Sequence, residues 1–81
     1  MEINQFVRNF ENAVWGIDPE SLNPDTRFRE IPQWESLALL CLIAMIDSDY
    51  GVQIGGAELK QCETLREIYQ LIEDKKLSKA A

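Results

Sequence analysis

Apolar residues recur near the start of the chain with the spacing of one face of a helix. This stripe consists of Ile3, Phe6, Val7, Phe10 and Val14. Spacings of three and four residues are typical of an amphipathic helix that buries one side. Polar residues such as Arg8 and Glu11 occupy the other positions and are assigned to solvent. Gly16 and then Pro19 predict the end of this helix.

The connection from Gly16 to Glu35 shows no helical periodicity and contains three prolines. Loops of this length are uncommon in small domains and usually have a role. Its scattered apolar residues are expected to hold it against the helices, and they are Ile17, Leu22, Phe28 and Ile31.

Residues 37–46 are all apolar, and they predict a second helix that begins at Ser36 as its N-cap and ends at Gly51. The run is about half of a membrane span, which indicates a buried or docking helix. We expect its core face to contain Leu39, Leu40, Leu42, Ile43, Ile46 and Tyr50. Its surface side is expected to contain Leu37, Ala38, Cys41, Ala44 and Met45.

Gly55 and Gly56 separate this helix from a short turn at residues 57–61, after which Thr64 and Glu67 have the spacing of a capping box. The buried stripe of the last helix is predicted to be Leu65, Ile68, Leu71 and Ile72. No segment alternates as a strand would. The predicted fold is an all-α bundle of three main helices and one short helix, with a long loop between helices one and two. We expect one domain over residues 1–81, with an ordered core at about 3–75 and a flexible tail at 76–81.

The amino-acid composition narrows the range of possible functions. The chain has 81 residues, 14 acidic against 8 basic side chains, and a net charge of −6. This balance disfavours nucleic-acid and anionic-membrane partners. Without histidine there is no ordinary general base and no imidazole ligand, so we expect no metal site. The start of the chain does not resemble a signal peptide, which predicts a cytoplasmic protein with free thiols at Cys41 and Cys62.

Ser36 is the candidate for chemistry. It follows a proline-containing loop at the predicted start of a helix, where backbone N–H groups and the helix dipole favour a bound phosphate. No neighbouring residue type would activate its hydroxyl as a nucleophile. The residues therefore indicate a serine that another enzyme modifies, in a protein that is not itself an enzyme.

Two segments carry a family resemblance: residues 34–37 (Trp-Glu-Ser-Leu) and residues 50–54 (Tyr-Gly-Val-Gln-Ile). The chain resembles the acyl carrier protein family, the phosphopantetheine-binding carrier domains. That family has Asp-Ser-Leu at the start of helix two and an aromatic-Gly-Val-x-Ile segment after it. The resemblance spans residues 3–74.

The resemblance implies a covalent 4′-phosphopantetheine on Ser36, whose thiol holds an acyl group as a thioester. The implied partners are a phosphopantetheinyl transferase and acyl-transferring or synthase enzymes of fatty-acid, polyketide or other specialised biosynthesis. We expect a monomer. The candidate docking residues are Glu35, Leu37, Ala38, Cys41 and Asp47. The candidate residues lining the acyl chain, all equally explained as core, are Phe28, Leu42, Ile46, Ile54, Leu59, Leu65 and Ile68.

The chain departs from the family pattern in two features. Glu35 stands where the family has aspartate, which is compatible with slower modification, with a particular transferase or with a carrier that is never loaded. Helix two offers Asp47 and Asp49 in place of a longer row of carboxylates. Two alternatives stay open: an aminoacyl or hydroxyacyl carrier, and an unmodified helical interaction module in which Ser36 is only a cap.

Overall fold

The computed structural model describes the backbone of residues 3–80 and the side chains of residues 3–78. Its elements are α1 (Ile3–Ala13), a short 3₁₀ turn (Phe28–Glu30), α2 (Ser36–Tyr50), α3 (Gly56–Leu59) and α4 (Leu65–Ala80). Within that part of the chain there is no strand, only one isolated antiparallel bridge between Arg27 and Thr64. The predicted all-α bundle of three main helices and one short helix is confirmed.

The core is built around α1, which packs against α2 and α4. Phe6 makes ring contacts with Tyr50 and Tyr69, with centroid separations of 6.0 and 5.9 Å. The Asn9 amide donates a hydrogen bond of 2.9 Å to the Tyr50 hydroxyl. Burial raises the pKa of Tyr50 above its ordinary value. These contacts fix the end of α2 against the middle of α1.

The predicted inward face of α2 is partly wrong. Ala38 and Met45, expected at the surface, are buried, whereas Leu40, expected in the core, is 63% exposed. The inward residues are Ala38, Leu42, Met45, Ile46 and Tyr50. Because residues 37–46 are apolar on every side, their periodicity does not indicate which side faces inward. Packing against α1 decides the orientation.

Glu11 is buried, which contradicts its assignment to solvent. Its side chain pairs with Arg8 at 2.9 Å and accepts hydrogen bonds from the backbone N–H groups of Glu20 at 2.8 Å and Leu22 at 2.9 Å. A buried carboxylate is tolerated when its oxygens are hydrogen-bonded in this way. Glu11 therefore fastens the first part of the long loop to α1.

The rest of the long loop lies against the start of α4. The N–H of Arg66 donates to the Pro24 carbonyl at 2.8 Å, and that of Leu65 to the Thr26 carbonyl at 3.2 Å. The Thr64 hydroxyl accepts the Glu67 N–H at 3.3 Å, as the predicted capping box requires. The Glu67 carboxylate accepts hydrogen bonds from the Thr64 hydroxyl at 3.4 Å and from the N–H of Glu63 at 3.3 Å, one residue before the donor that the capping box predicts.

Helix α4 continues to Ala80, whereas Ala81 lies outside the described residues. The predicted flexibility of residues 76–81 stays a prediction. In the part of the chain that the structure describes, no helix has the length and apolar character to cross a membrane.

Candidate functional site

Ser36 is exposed at the first position of α2. The sequence predicts Ser36 as the N-cap, but the N-cap is Glu35, one residue earlier. The Glu35 backbone is extended, with φ −152° and ψ −178°. The Glu35 carbonyl accepts the first helical hydrogen bond, from the Leu39 N–H at 3.1 Å. Among the described residues, no side chain caps this helix end. Its first N–H groups are therefore available to an anion.

Aromatic packing fixes the segment that leads into Ser36. The Trp34 ring stacks on Phe10 at 6.2 Å and 14°, and it meets Phe28 edge-on at 5.0 Å. The Gln33 amide donates to the Gly16 carbonyl at 3.0 Å. Gly16 has a φ of +93°, a conformation that suits glycine. The end of α1 thus holds the approach to α2 while the Ser36 side chain faces solvent.

An exposed stripe runs along α2 from the serine. It consists of Leu37, Leu40, Ala44 and Asp47, at spacings of three and four residues, and is called the α2 stripe below. Leu37 and Leu40 are each 63% exposed.

Most of the predicted docking residues lie on or beside this stripe, but one does not. Glu35 is exposed next to Ser36, and Cys41 is half-buried beside the stripe. Ala38 is only 5% exposed and points into the core, so its predicted place on a docking surface is wrong. Leu40, which the sequence predicts in the core, is exposed instead and belongs to the α2 stripe.

A cleft of about 160 Å³ opens between the long loop, α2 and α3. Its lining residues are Phe28, Arg29, Trp34, Leu39, Gly56, Leu59 and Lys60. We call it the loop cleft. Of the predicted acyl-lining residues, only Phe28 and Leu59 face it. The others are each 2% exposed or less in the core around α1, and they are Leu42, Ile46, Ile54, Leu65 and Ile68.

The site has no catalytic constellation. No described side chain donates or accepts a hydrogen bond at the Ser36 hydroxyl, and no cluster of potential metal ligands occurs among the described residues. A serine with no base beside its hydroxyl is a poor nucleophile. The geometry fits a hydroxyl that is presented to another enzyme's active site.

The two thiols are free, with Cys41 half-buried and Cys62 buried. Burial, together with the Glu67 charge, raises the pKa of Cys62 above its ordinary value. Since the thiolate is the reactive form, we expect iodoacetamide to alkylate Cys41 about tenfold faster than Cys62 at pH 8, with the gap narrowing as the pH rises. Intact mass spectrometry of the Cys41→Ser and Cys62→Ser variants measures each thiol alone. Equal rates at pH 8 would contradict the burial of Cys62.

Comparison with known proteins gives two matches. Residues 7–72 match a family model described as a phosphopantetheine attachment site. The chain is also 31% identical over 76 residues to an acyl carrier protein of Solidesulfovibrio magneticus, and the match covers 94% of this chain and 97% of that protein.

Proposed function

The chain belongs to the acyl carrier protein family of phosphopantetheine attachment domains, and we propose that Ser36 carries its arm. As a member of this family it is a carrier and not an enzyme, and its cofactor is covalent 4′-phosphopantetheine. Its partners are a phosphopantetheinyl transferase and the enzymes that load and use the arm.

The exposed hydroxyl of Ser36 at the first position of α2 is the observation that supports this proposal most. A phosphodiester on that oxygen would lie beside the uncapped N–H groups of the first turn, which contains no acidic residue. The positive end of the helix dipole stabilises a negative group there. The residues present therefore fit the arm.

The bound arm supplies the thiol that holds the cargo, so neither Cys41 nor Cys62 is needed for thioester chemistry. The protein's own contribution is to fix one end of the tether, through the packing of Trp34 on Phe10 and Phe28. A tethered group stays at high effective concentration near any enzyme that docks on the carrier. We propose that it serves fatty-acid, polyketide or other specialised biosynthesis, with an aminoacyl or hydroxyacyl cargo as the alternative.

Mass gain on incubation tests the proposal. The wild-type protein, incubated with coenzyme A, Mg²⁺ and a broadly specific phosphopantetheinyl transferase, is expected to gain the mass of one arm. A carrier already known to accept the arm serves as the control for transferase activity. If the control is loaded and this protein is not, an unmodified helical interaction module is the better account.

We propose that partner enzymes dock on the α2 stripe together with Glu35 and the half-buried Cys41. Leu37, Leu40 and Ala44 give the middle of this surface an apolar character, and its two carboxylates, Glu35 and Asp47, lie at its ends. Apolar contact depends weakly on ionic strength, whereas contact between exposed charges is screened by salt. Partners are therefore expected to recognise shape and apolar area more than charge.

Leu40→Ala is expected to weaken binding to the transferase about tenfold, because the variant removes an exposed anchor from the centre of the stripe. Wild-type affinity should change little between low and high salt. Leu77→Ala is the matched control, since Leu77 is equally apolar and is 71% exposed on α4. Titration calorimetry of each variant measures the effect. A steep loss of wild-type binding with salt, or an equal loss in Leu77→Ala, would contradict docking through the α2 stripe.

A further inference from the structure

Two basic side chains that form no ion pair with a described residue line the loop cleft, and one of them, Arg29, also borders a neighbouring cavity with Glu30 and Glu63. Most basic side chains that the structure describes form an ion pair, as Arg8 does with Glu11 and Lys75 with Glu58. Arg29 and Lys60 form none within the described residues, although the chain carries a net charge of −6. Both line the loop cleft.

The Arg29 guanidinium is held in place by contacts that use only part of its donor capacity. Its Nη1 donates to the backbone carbonyls of Lys60 at 3.0 Å and Leu59 at 3.4 Å, and its carbon lies 5.4 Å from the centroid of the Phe28 ring. Guanidinium has five N–H donors in a fixed plane, and a carboxylate accepts two of them side by side. Nε and Nη2 of this side chain form no hydrogen bond to a described residue and remain for such a ligand.

The walls of the loop cleft are apolar and its volume is small. Phe28, Trp34, Leu39 and Leu59 form the walls. Its volume of about 160 Å³ is close to that of an engineered cavity of about 150 Å³ that binds benzene, which indicates a guest of about six heavy atoms. Two of its lining residues are close to Ser36 in the sequence, Trp34 two positions before it and Leu39 three positions after it.

We propose that the loop cleft holds a short acyl cargo that ends in a carboxylate, with its methylene groups against the apolar walls and its carboxylate on Arg29 and Lys60. This inference rests on the proposed attachment of the arm at Ser36. A neutral acyl group has no terminal acceptor to offer either cation. The arm's own phosphodiester is the other source of negative charge near the cleft, and the test separates the two.

The test compares two cargoes of equal chain length on the arm of the full-length protein, each joined through a stable amide in place of the thioester. Glutaryl carries the terminal carboxylate, and pentanoyl lacks it. Amide NMR signals of Leu39, Gly56 and Leu59 are recorded for both and for the arm alone. Glutaryl is expected to shift these signals further than pentanoyl does, and high salt is expected to reduce the difference.

Lys60→Gln and Arg29→Gln are each expected to abolish the extra shift caused by glutaryl. The Lys60 side chain is exposed and makes no hydrogen bond to a described residue, so its replacement is expected to leave the fold intact. Arg27→Gln is the matched control, since Arg27 is exposed, lies near Arg29 in the sequence and faces Glu30 at 3.8 Å. It should retain the extra shift.

Each other outcome overturns the proposal. Equal shifts from glutaryl and pentanoyl would show that the cleft does not select a carboxylate, while Ser36 loading would still stand. If the arm alone shifts the three amide signals as far as glutaryl does, the two cations bind the phosphodiester and not the cargo. Failure of the protein to take up the arm at Ser36 would overturn both this inference and the proposed function.

Discussion

Replacing Glu11 with alanine is expected to lower the free energy of unfolding by about 3 kcal/mol. Glu11 is 5% exposed, and its carboxylate accepts hydrogen bonds from the N–H groups of Glu20 and Leu22. Truncation leaves the buried N–H of Leu22 without an acceptor, whereas the N–H of Glu20, an exposed residue, regains part of its hydrogen bonding from water. Arg8 loses its partner too, but its side chain is 36% exposed, so water replaces part of that interaction. In a domain of this size, such a loss lowers Tm by about 15 °C.

Urea unfolding followed by circular dichroism measures this change. Glu11→Gln should fall between wild type and Glu11→Ala, because the amide oxygen still accepts one N–H while the NH₂ group faces the other. Asn12→Ala is the matched control, since Asn12 is the next residue on α1 and is exposed. An equal, small effect for Glu11→Ala and Asn12→Ala would contradict the role of Glu11 in fastening the loop.

Ser36→Ala is expected to reduce arm attachment to background, because the variant lacks the oxygen that the phosphodiester requires. The fold should remain, as alanine is favourable within a helix and the Ser36 side chain makes no hydrogen bond to a described residue. Ser48→Ala is the matched control, since Ser48 is an exposed serine on the same helix. Loading rates measured by intact mass should match wild type in Ser48→Ala. Loading of Ser36→Ala at the wild-type rate would show that the arm is attached to another residue.

The sequence predicts where each helix lies along the chain better than it predicts which face of the helix is buried. Helix α1 has polar and apolar sides, so its stripe predicts both its extent and its buried residues Phe6, Val7 and Phe10. Helix α2 is apolar almost throughout, so Ala38 and Leu40 exchange their expected places. Only the packing of neighbouring elements selects the face that is buried.

Local sequence patterns also do not predict contacts between residues that are far apart in the sequence. Glu11 stands among polar residues, and nothing near it indicates that a loop returns to place the N–H groups of Glu20 and Leu22 on its carboxylate. The loop cleft likewise joins residues from separate elements, such as Arg29 and Lys60. Ser36, by contrast, is marked by its immediate neighbours and lies at the start of α2, one position from its predicted place in the helix cap.

Fragmentation mass spectrometry of the loaded protein tests the central claim most directly. Trypsin releases residues 30–60 as one peptide, because no lysine or arginine lies between Arg29 and Lys60. This peptide contains Ser36, Ser48 and Cys41, so its fragment ions distinguish the three acceptors. The arm is predicted on Ser36. An arm found on Ser48, on Cys41 or on a different peptide would contradict the assignment.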